Sequence, residues 1–343
     1  AAGGSSQAAA GEGVGQERGD SCATVGAADG GCPLERVGPC RLGKKLGEGS
    51  FGKVYTAKNE ESGGIEVVKV VVKRSVQSLA HVRDIWREAT LLPKLVHPGI
   101  VVVHEVSHMP RHICFRMEMI GKRNMYQVQR AHGGRLSLNA TWNVGLQVAS
   151  AVAHCHAHGI AHRDIKHENV VLVDTQADPE YWRVKLVDFG HAVEVEKAAS
   201  ERMCGTMPFT APEVLRAQHP SVLWDCDGDP DPRAADVWAH AVMLLEMAYS
   251  LGEFNRMLGW PPDVQPNEER GSELAFFFQR GVKRMAQALS KVPPLEGEAD
   301  PLDEDFLAVL GGALRVEPGR RWSMAKVADK MASCLEDTSR HGP

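Results

Sequence analysis

The sequence predicts an α+β fold: a small β-rich part with one helix, followed by a larger and mostly helical part. Two observations carry this expectation. Residues 38–120 contain dense β-branched runs, among them Glu66-Val67-Val68-Lys69-Val70-Val71-Val72 and Ile100-Val101-Val102-Val103. From Gly121 onward apolar residues recur at helical spacing, as in Leu138, Trp142, Leu146, Ala149 and Ala153. The change of period near residue 120 divides the chain into parts at 38–120 and 121–335.

Composition narrows the function classes. A chain of 343 residues can bury a substantial core, and 43% hydrophobic with 24% charged residues is ordinary for a globular protein. A formal net charge of -5 argues against a dedicated nucleic-acid binder. The eight cysteines are scattered with no CxxC pair, which reads as reduced thiols in a cytoplasmic or nuclear protein. No apolar run approaches the ~20 residues needed to span a bilayer. The most apolar candidate, Trp238 to Leu251, is short and carries His240 and Glu246, so it reads as a buried core helix.

Taken in chain order, residues 1–37 are mostly Gly, Ala and Ser with few large apolar side chains. They cannot bury enough surface to offset ordering, and are expected to form a disordered tail. The helix inside the β-rich part is expected from Leu79 to Leu95, with Val82, Ile85, Trp86, Ala89 and Leu92 on its packed face. A second helix is expected after Ser137 as N-cap, stopping at Gly159. Residues 336–343 are read as a C-terminal tail.

Chemistry enters first at Gly47-Glu48-Gly49-Ser50-Phe51-Gly52-Lys53-Val54. Glycines let a backbone approach phosphate oxygens closely because no Cβ intervenes. The strand-like continuation Lys53-Val54-Tyr55-Thr56-Ala57 favours a hairpin over the strand–glycine–helix of a dinucleotide site. Lys69 then stands inside an apolar strand. It is either an edge lysine facing solvent or a buried cation partnered by phosphate oxygens and Glu88.

The run His162-Arg163-Asp164-Ile165-Lys166-His167-Glu168-Asn169 supplies three polar roles between a helix and an apolar strand. Asp164 can orient a hydroxyl proton, Lys166 can neutralise a transferring phosphoryl group, and Asn169 can ligate a metal. Asp188-Phe189-Gly190 follows the apolar Val184-Lys185-Leu186-Val187, and a carboxylate there suits Mg²⁺. His154 and His158, one helical turn apart, lack the further ligands of a metal site. Asp225 to Asp231 lacks the glycine position and closing Glu of a calcium loop, and is read as a solvated acidic insertion.

Together with Ala211-Pro212-Glu213, Asp236-Val237-Trp238 and Pro318 with Arg321, these motifs resemble the serine/threonine branch of the eukaryotic protein kinase family. The resemblance covers residues 40–335 and implies a bilobal protein-kinase-like fold, with a small N-lobe and a larger helical C-lobe. It implies that ATP is bound by Gly47, Glu48, Gly49, Ser50, Gly52, Val54, Val67, Lys69, Met117, Glu118, Ile120, Val171 and Asp188. Met117 would guard the back of the adenine pocket and Glu118 to Ile120 would form the hinge. Mg²⁺ would be held by Asn169 and Asp188. Lys69, Glu88, Asp164, Lys166 and Asn169 would form the catalytic set.

Lys166 and Thr206 imply serine or threonine as the acceptor. Glu168 implies a basic residue near the target in protein substrates. Glu213 and Arg321 would form a structural ion pair. Ser200 and Thr206 fall in the implied activation loop; with Arg202 standing where a phosphothreonine often sits, the loop is expected to be phosphorylated at Ser200 or to be ordered without phosphorylation. A scaffold of the same fold without activity would be expected to lack Lys69, Asp164, Asn169 or Asp188, and all four are present.

Overall fold

A computed structural model describes residues 34–49, 52–173, 178–200, 204–218, 231–264, 268–279, 287 and 303–340. The β-rich part is a six-stranded antiparallel sheet in the order β1-β2-β3-β4-β6-β5. Its strands are β1 (Arg36–Val37), β2 (Cys40–Gly49), β3 (Gly52–Asn59), β4 (Ile65–Val72), β5 (Val103–His108) and β6 (His112–Glu118). Alternation along β4 sends Val68 and Val70 to the outer face, where they pack with Tyr55, Ala57 and Cys114. Lys69 and Val71 point to the opposite face, and Val71 packs there on Phe115 and on Ile85 of the helix α1 (Leu79–Leu91).

The expected disordered tail is corrected at its end. Val37 is fully buried and pairs with Cys40 through the turn at Gly38, whose φ is +54°, and Leu34 packs beside it. The ordered sheet thus starts before residue 38, because these two apolar side chains find a place on its outer face. Residues 1–33 lie outside the described residues.

Ser78 caps α1 by accepting the His81 amide at 3.2 Å. The helix ends at Leu91 rather than Leu95, and a 3₁₀ turn, Leu92–Lys94, carries Pro93. Its packed face also differs from the expected one. Ile85, Glu88 and Leu91 are buried, whereas Val82 is 51% and Trp86 59% exposed.

The larger part is built on α3 (Leu138–Ala157) and α5 (Pro232–Ala248), with α2 (Met125–Ala131) beside them and α4 (Pro212–Gln218) preceding α5. Ser137 caps α3 by accepting the Ala140 amide, and Gly159 takes φ +68° just after the helix. The apolar run read as a core helix lies in α5, where Trp238, Val242, Leu244 and Leu245 are fully buried and Asp231 is the N-cap. Asp225 to Pro230 of the acidic insertion lie outside the described residues.

Two small antiparallel sheets follow α3: β7 (Ile160–Ala161) pairs with β10 (Val193–Glu194), and between them in sequence β8 (Val170–Leu172) pairs with β9 (Val184–Leu186). The C-terminal helix spans Met324–Arg340, so the backbone stays helical through five of the residues expected to form a tail. No helix among the described residues is long and apolar enough to cross a membrane.

Candidate active site

The glycine hairpin is the β2–β3 turn, with Gly49 opposite Gly52 and Ser50 and Phe51 outside the described residues. Gly52 is demanded by packing: a Cβ there would stand 2.6 Å from the Val70 carbonyl oxygen. Gly47 is different, because a Cβ there would meet nothing within 4 Å, so its space is open to a ligand. Pairing of β3 with β4 sets Val54 beside Lys69, and pairing of β4 with β6 sets Val67 beside Met117. All four side chains share the sheet face that looks toward α1 and the larger part.

On that face Lys69 is 7% exposed, and its ammonium donates to both carboxylate oxygens of Glu88 at 2.7 Å. Burial disfavours the charge, but the carboxylates of Glu88 and Asp188 outweigh it and keep Lys69 protonated. Of the two sequence alternatives for Lys69, the buried and partnered one is observed. Asp188 Oδ1 lies 3.7 Å from the same ammonium and is buried with no hydrogen-bond partner.

The 162–169 run is a loop between β7 and β8, anchored from below. Asp236 of α5, 1% exposed, accepts the His162 amide at 2.8 Å, the Arg163 amide at 2.7 Å and His156 Nε2 at 2.8 Å. His162 is buried against Phe189, with ring centroids 4.7 Å apart. Its Nδ1 accepts the Asp164 amide and its Nε2 faces the Val187 carbonyl at 3.2 Å, which assigns the neutral Nε2–H tautomer. Burial lowers its affinity for a second proton accordingly.

Asp164 is the centre of a closed network. Its Oδ1 accepts the Thr206 hydroxyl at 2.7 Å, its Oδ2 accepts Asn169 Nδ2 at 2.9 Å and meets Lys166 Nζ at 2.8 Å, and Lys166 also donates to Thr206 Oγ1 at 3.0 Å. Burial alone would raise this carboxyl. The Lys166 ammonium and the Lys166 and Thr206 hydrogen bonds outweigh it and hold Asp164 below the usual carboxylate range. The site therefore presents an ionised, preorganised carboxylate beside a cation.

The β8–β9 hairpin brings Asn169 to Asp188, for Val170 pairs with Leu186 and the Val187 amide donates to the Asn169 carbonyl at 2.9 Å. Asp188 itself has φ +62°, an unusual conformation for a residue with a Cβ, and its carboxylate faces Lys69.

The protein kinase domain family model matches residues 40–331. The chain belongs to the protein kinase family. It is 32% identical over 213 residues to CBL-interacting serine/threonine-protein kinase 24 of Arabidopsis thaliana, covering 62% of this chain and 44% of that protein. It is 31% identical over 301 residues to CBL-interacting serine/threonine-protein kinase 20 of the same plant, covering 78% of this chain and 64% of that one. CBL-interacting protein kinase 25 of Oryza sativa subsp. japonica is 35% identical over 211 residues, 59% of this chain and 38% of the relative. The chain thus spans between about two fifths and two thirds of the length of these relatives. It carries a protein kinase domain, with the sheet as N-lobe and the helical part as C-lobe.

The remaining expected positions of this kinase domain are partly accessible. Val54, Val67, Met117, Ile120 and Val171 are all half-buried. Glu118 turns its carboxylate aside: Oε1 accepts Lys185 Nζ at 2.6 Å and the Val102 amide at 2.8 Å. Asn124 starts α2 with a capping box shared with Gln127, which closes the hinge connection.

The residues fit Mg²⁺. Asp188 Oδ1 is an orphaned buried carboxylate oxygen, the Asn169 amide nitrogen is committed to Asp164, and oxygen donors of this kind suit a hard cation. Ser200 ends the 3₁₀ turn Val195–Ser200; its side chain, like Arg202, lies outside the described residues. No metal-binding histidine group occurs among the described residues. His154 instead lies against His158 and His97, with centroids 4.2 and 5.1 Å away.

Three contributors are not singled out by sequence. Asp236 reads there as part of a motif, with no sign of its role as anchor of the loop. His167 is buried edge-on against Phe209, with ring centroids 5.5 Å apart. Glu246 stands out only as an acid in an apolar helix, and that oddity is the available signal.

Proposed function

We propose that this chain transfers the γ-phosphoryl group of ATP to serine or threonine hydroxyls of protein substrates, with Mg²⁺ as cofactor. The observation that carries this reading is the Lys69 ammonium held by Glu88 at 2.7 Å and facing the unpartnered oxygen of Asp188. A fold kept only as a scaffold has no need to maintain that buried charged set, which is costly wherever a partner is lost.

Gly47, Gly49 and Gly52 would lie over the phosphates, with Glu48, Ser50 and Val54 on the same hairpin. Val67, Met117, Glu118, Ile120 and Val171 would enclose the adenine. Lys69 would hold the α- and β-phosphate oxygens. Asp188 and Asn169 would hold Mg²⁺, which when bound supplies neutralisation of phosphate charge. Asp164 would accept a hydrogen bond from the substrate hydroxyl, as it now does from Thr206, and align it for attack. Lys166 would neutralise charge on the moving phosphoryl group.

The substrate side has an acidic feature. Glu168 is exposed at the loop, and Glu246 Oε1 is buried without a hydrogen-bond partner. The Glu168 and Glu253 carboxylates both act on Glu246. This grouping supports a substrate with a basic side chain near the target hydroxyl. The five described cysteines are free thiols, which supports a location inside the cell, cytoplasmic or nuclear.

The test is transfer from γ-labelled ATP with Mg²⁺ to generic protein substrates, then to a peptide library. Asp164→Asn and Lys69→Met should each lose about a hundredfold or more of the rate. Peptides with Arg or Lys near the acceptor should lead the library. A wild type no faster than the two variants would overturn the catalytic reading. A library without basic preference would overturn the role given to the acidic group.

A further inference from the structure

Three histidines outside the phosphoryl-transfer set meet where the connection from α1 to β5 crosses α3. The His154 ring stands next to both others, with centroids 5.1 Å from His97 and 4.2 Å from His158. His154 and His158 are one turn apart at the end of α3, and His97 reaches them from the connection.

The hydrogen bonds of His97 fix which of its nitrogens can take up a proton. Nδ1 accepts the Gly99 amide at 3.0 Å, so the ring hydrogen sits on Nε2, 3.2 Å from Ser150 Oγ on α3. Uptake therefore occurs at Nδ1, where it sets one N–H against the Gly99 N–H and breaks the bond. The turn closed by that bond is packed tightly on the helix. A Cβ added at Gly99 would stand 3.2 Å from His97 Nδ1 and 3.3 Å from both Ala151 Cβ and the Gln147 carbonyl oxygen.

Among the described residues no carboxylate offsets a charge placed on these rings. His97 faces His154 from α3 and Lys185 from β9, whose ammonium is itself paired with Glu118 of β6 at 2.6 Å. His154 faces His158, and its Nε2 is buried with no hydrogen-bond partner. Burial first, and then these neighbours, hold both His97 and His154 below the ordinary histidine value.

The same turn is joined to both carboxylates that face Lys69. Leu186, two residues before Asp188, donates its amide to the Gly99 carbonyl at 2.8 Å and accepts the Val101 amide at 3.1 Å. Helix α1, which carries Glu88, runs into the connection through Leu92–Lys94.

We propose that His97, His154 and His158 form an acid-sensitive clasp: protonation of His97 breaks the 97–99 turn, unseats it from α3 and misaligns Glu88 and Asp188 about Lys69. Mild acid then lowers phosphoryl transfer reversibly, through a joint that touches no reacting atom. The effect on transfer rests on the function proposed above; the unseating of the turn does not.

The test compares the full chain with His97→Asn and His154→Phe at about pH 7.5 and about pH 5.5. An asparagine carbonyl can accept the amide two residues on, as in an Asx turn, and takes up no proton there. The folded chain binds these protons less tightly than the unfolded chain, so the contribution of the cluster to stability is lost as pH falls. On going to the lower pH, wild type should lose about 3 °C or more of melting temperature relative to His97→Asn, and less relative to His154→Phe. Hydrogen exchange at the Gly99 and Leu186 amides, corrected for its intrinsic pH dependence, should quicken about tenfold in wild type and stay level in His97→Asn. Parallel melting shifts in wild type and both variants, or wild-type protection unchanged between the two pH values, would overturn the clasp. Where His97→Asn melts early even at the higher pH, His154→Phe and the wild-type exchange decide. Transfer from labelled ATP that falls equally in wild type and His97→Asn would overturn the link to the site. No transfer at either pH would overturn the proposed function, while melting and exchange still decide the clasp.

Discussion

Glu246 sits 3% exposed in the most buried helix of the C-lobe. Burial, with the Glu168 and Glu253 carboxylates adding to it, pushes its pKa from 4.5 up to about 7, and amide hydrogen bonds from Gly252 and Phe254 offset this only in part. The folded chain then binds this proton more tightly than the unfolded chain. Stability should accordingly fall as pH rises from the ordinary carboxyl value to about 7, by at most roughly 3 kcal/mol. Glu246→Gln removes the titration, so its melting temperature should stay flatter between about pH 5 and about pH 8 and exceed wild type at the alkaline end. Parallel melting curves across that range would show that the carboxyl does not titrate there. Residues of this kind are only partly legible in the sequence. Lys69, Asp164, Asn169 and Asp188 announce themselves because their spacing follows the chemistry of one site. Glu246 does not, because its environment is set first by its burial in the folded core, which no local spacing announces.

At the next scale, elements are fixed by small residues as much as by large ones. Gly312 lies in the helix Glu304–Ala313, and a Cβ there would stand 2.3–2.7 Å from ring atoms of Trp322. An indole is rigid and cannot yield as a flexible side-chain end would. Gly312→Ala gains about 1 kcal/mol of helix propensity but forces the ring and helix apart. A net loss of roughly 1–2 kcal/mol is expected, lowering the melting temperature by about 2–4 °C per kcal/mol in scanning fluorimetry. A variant melting at or above wild type would show that Trp322 repacks freely. The course of α1 shows where periodicity misleads. Val82 and Trp86 fit a helical stripe, and apolar spacing assigns them to the core, yet the inward position belongs to Glu88 because Lys69 needs a partner there. Spacing identifies a helix; which side turns inward is decided by what waits across the interface.

Over the whole molecule, Arg321 ties the C-lobe together. Its five N–H donors meet both Glu213 oxygens and the carbonyls of Ala234, Arg315 and Val316, while the guanidinium lies over Trp238 at 5.1 Å. Arg321→Ala would leave the Glu213 carboxylate buried and unpaired, at a cost of roughly 3–5 kcal/mol. Urea unfolding should show that loss with little dependence on salt, since both side chains are screened from solvent. A loss below about 1 kcal/mol would mean that solvent reaches Glu213. The two-lobe division is legible from the change of period near residue 120. The start of the sheet is not, because composition averaged over a window hides Leu34 and Val37 beside a polar segment. Asp236 has a larger consequence. By holding the amides of His162 and Arg163 to α5, it makes the C-lobe core the datum from which Asp164 is located. Lys69, Glu88 and the glycine hairpin are carried on the other lobe. Half of the site is thus keyed to the C-lobe core and half to the N-lobe sheet, so the gap between them is set by how the two lobes pack.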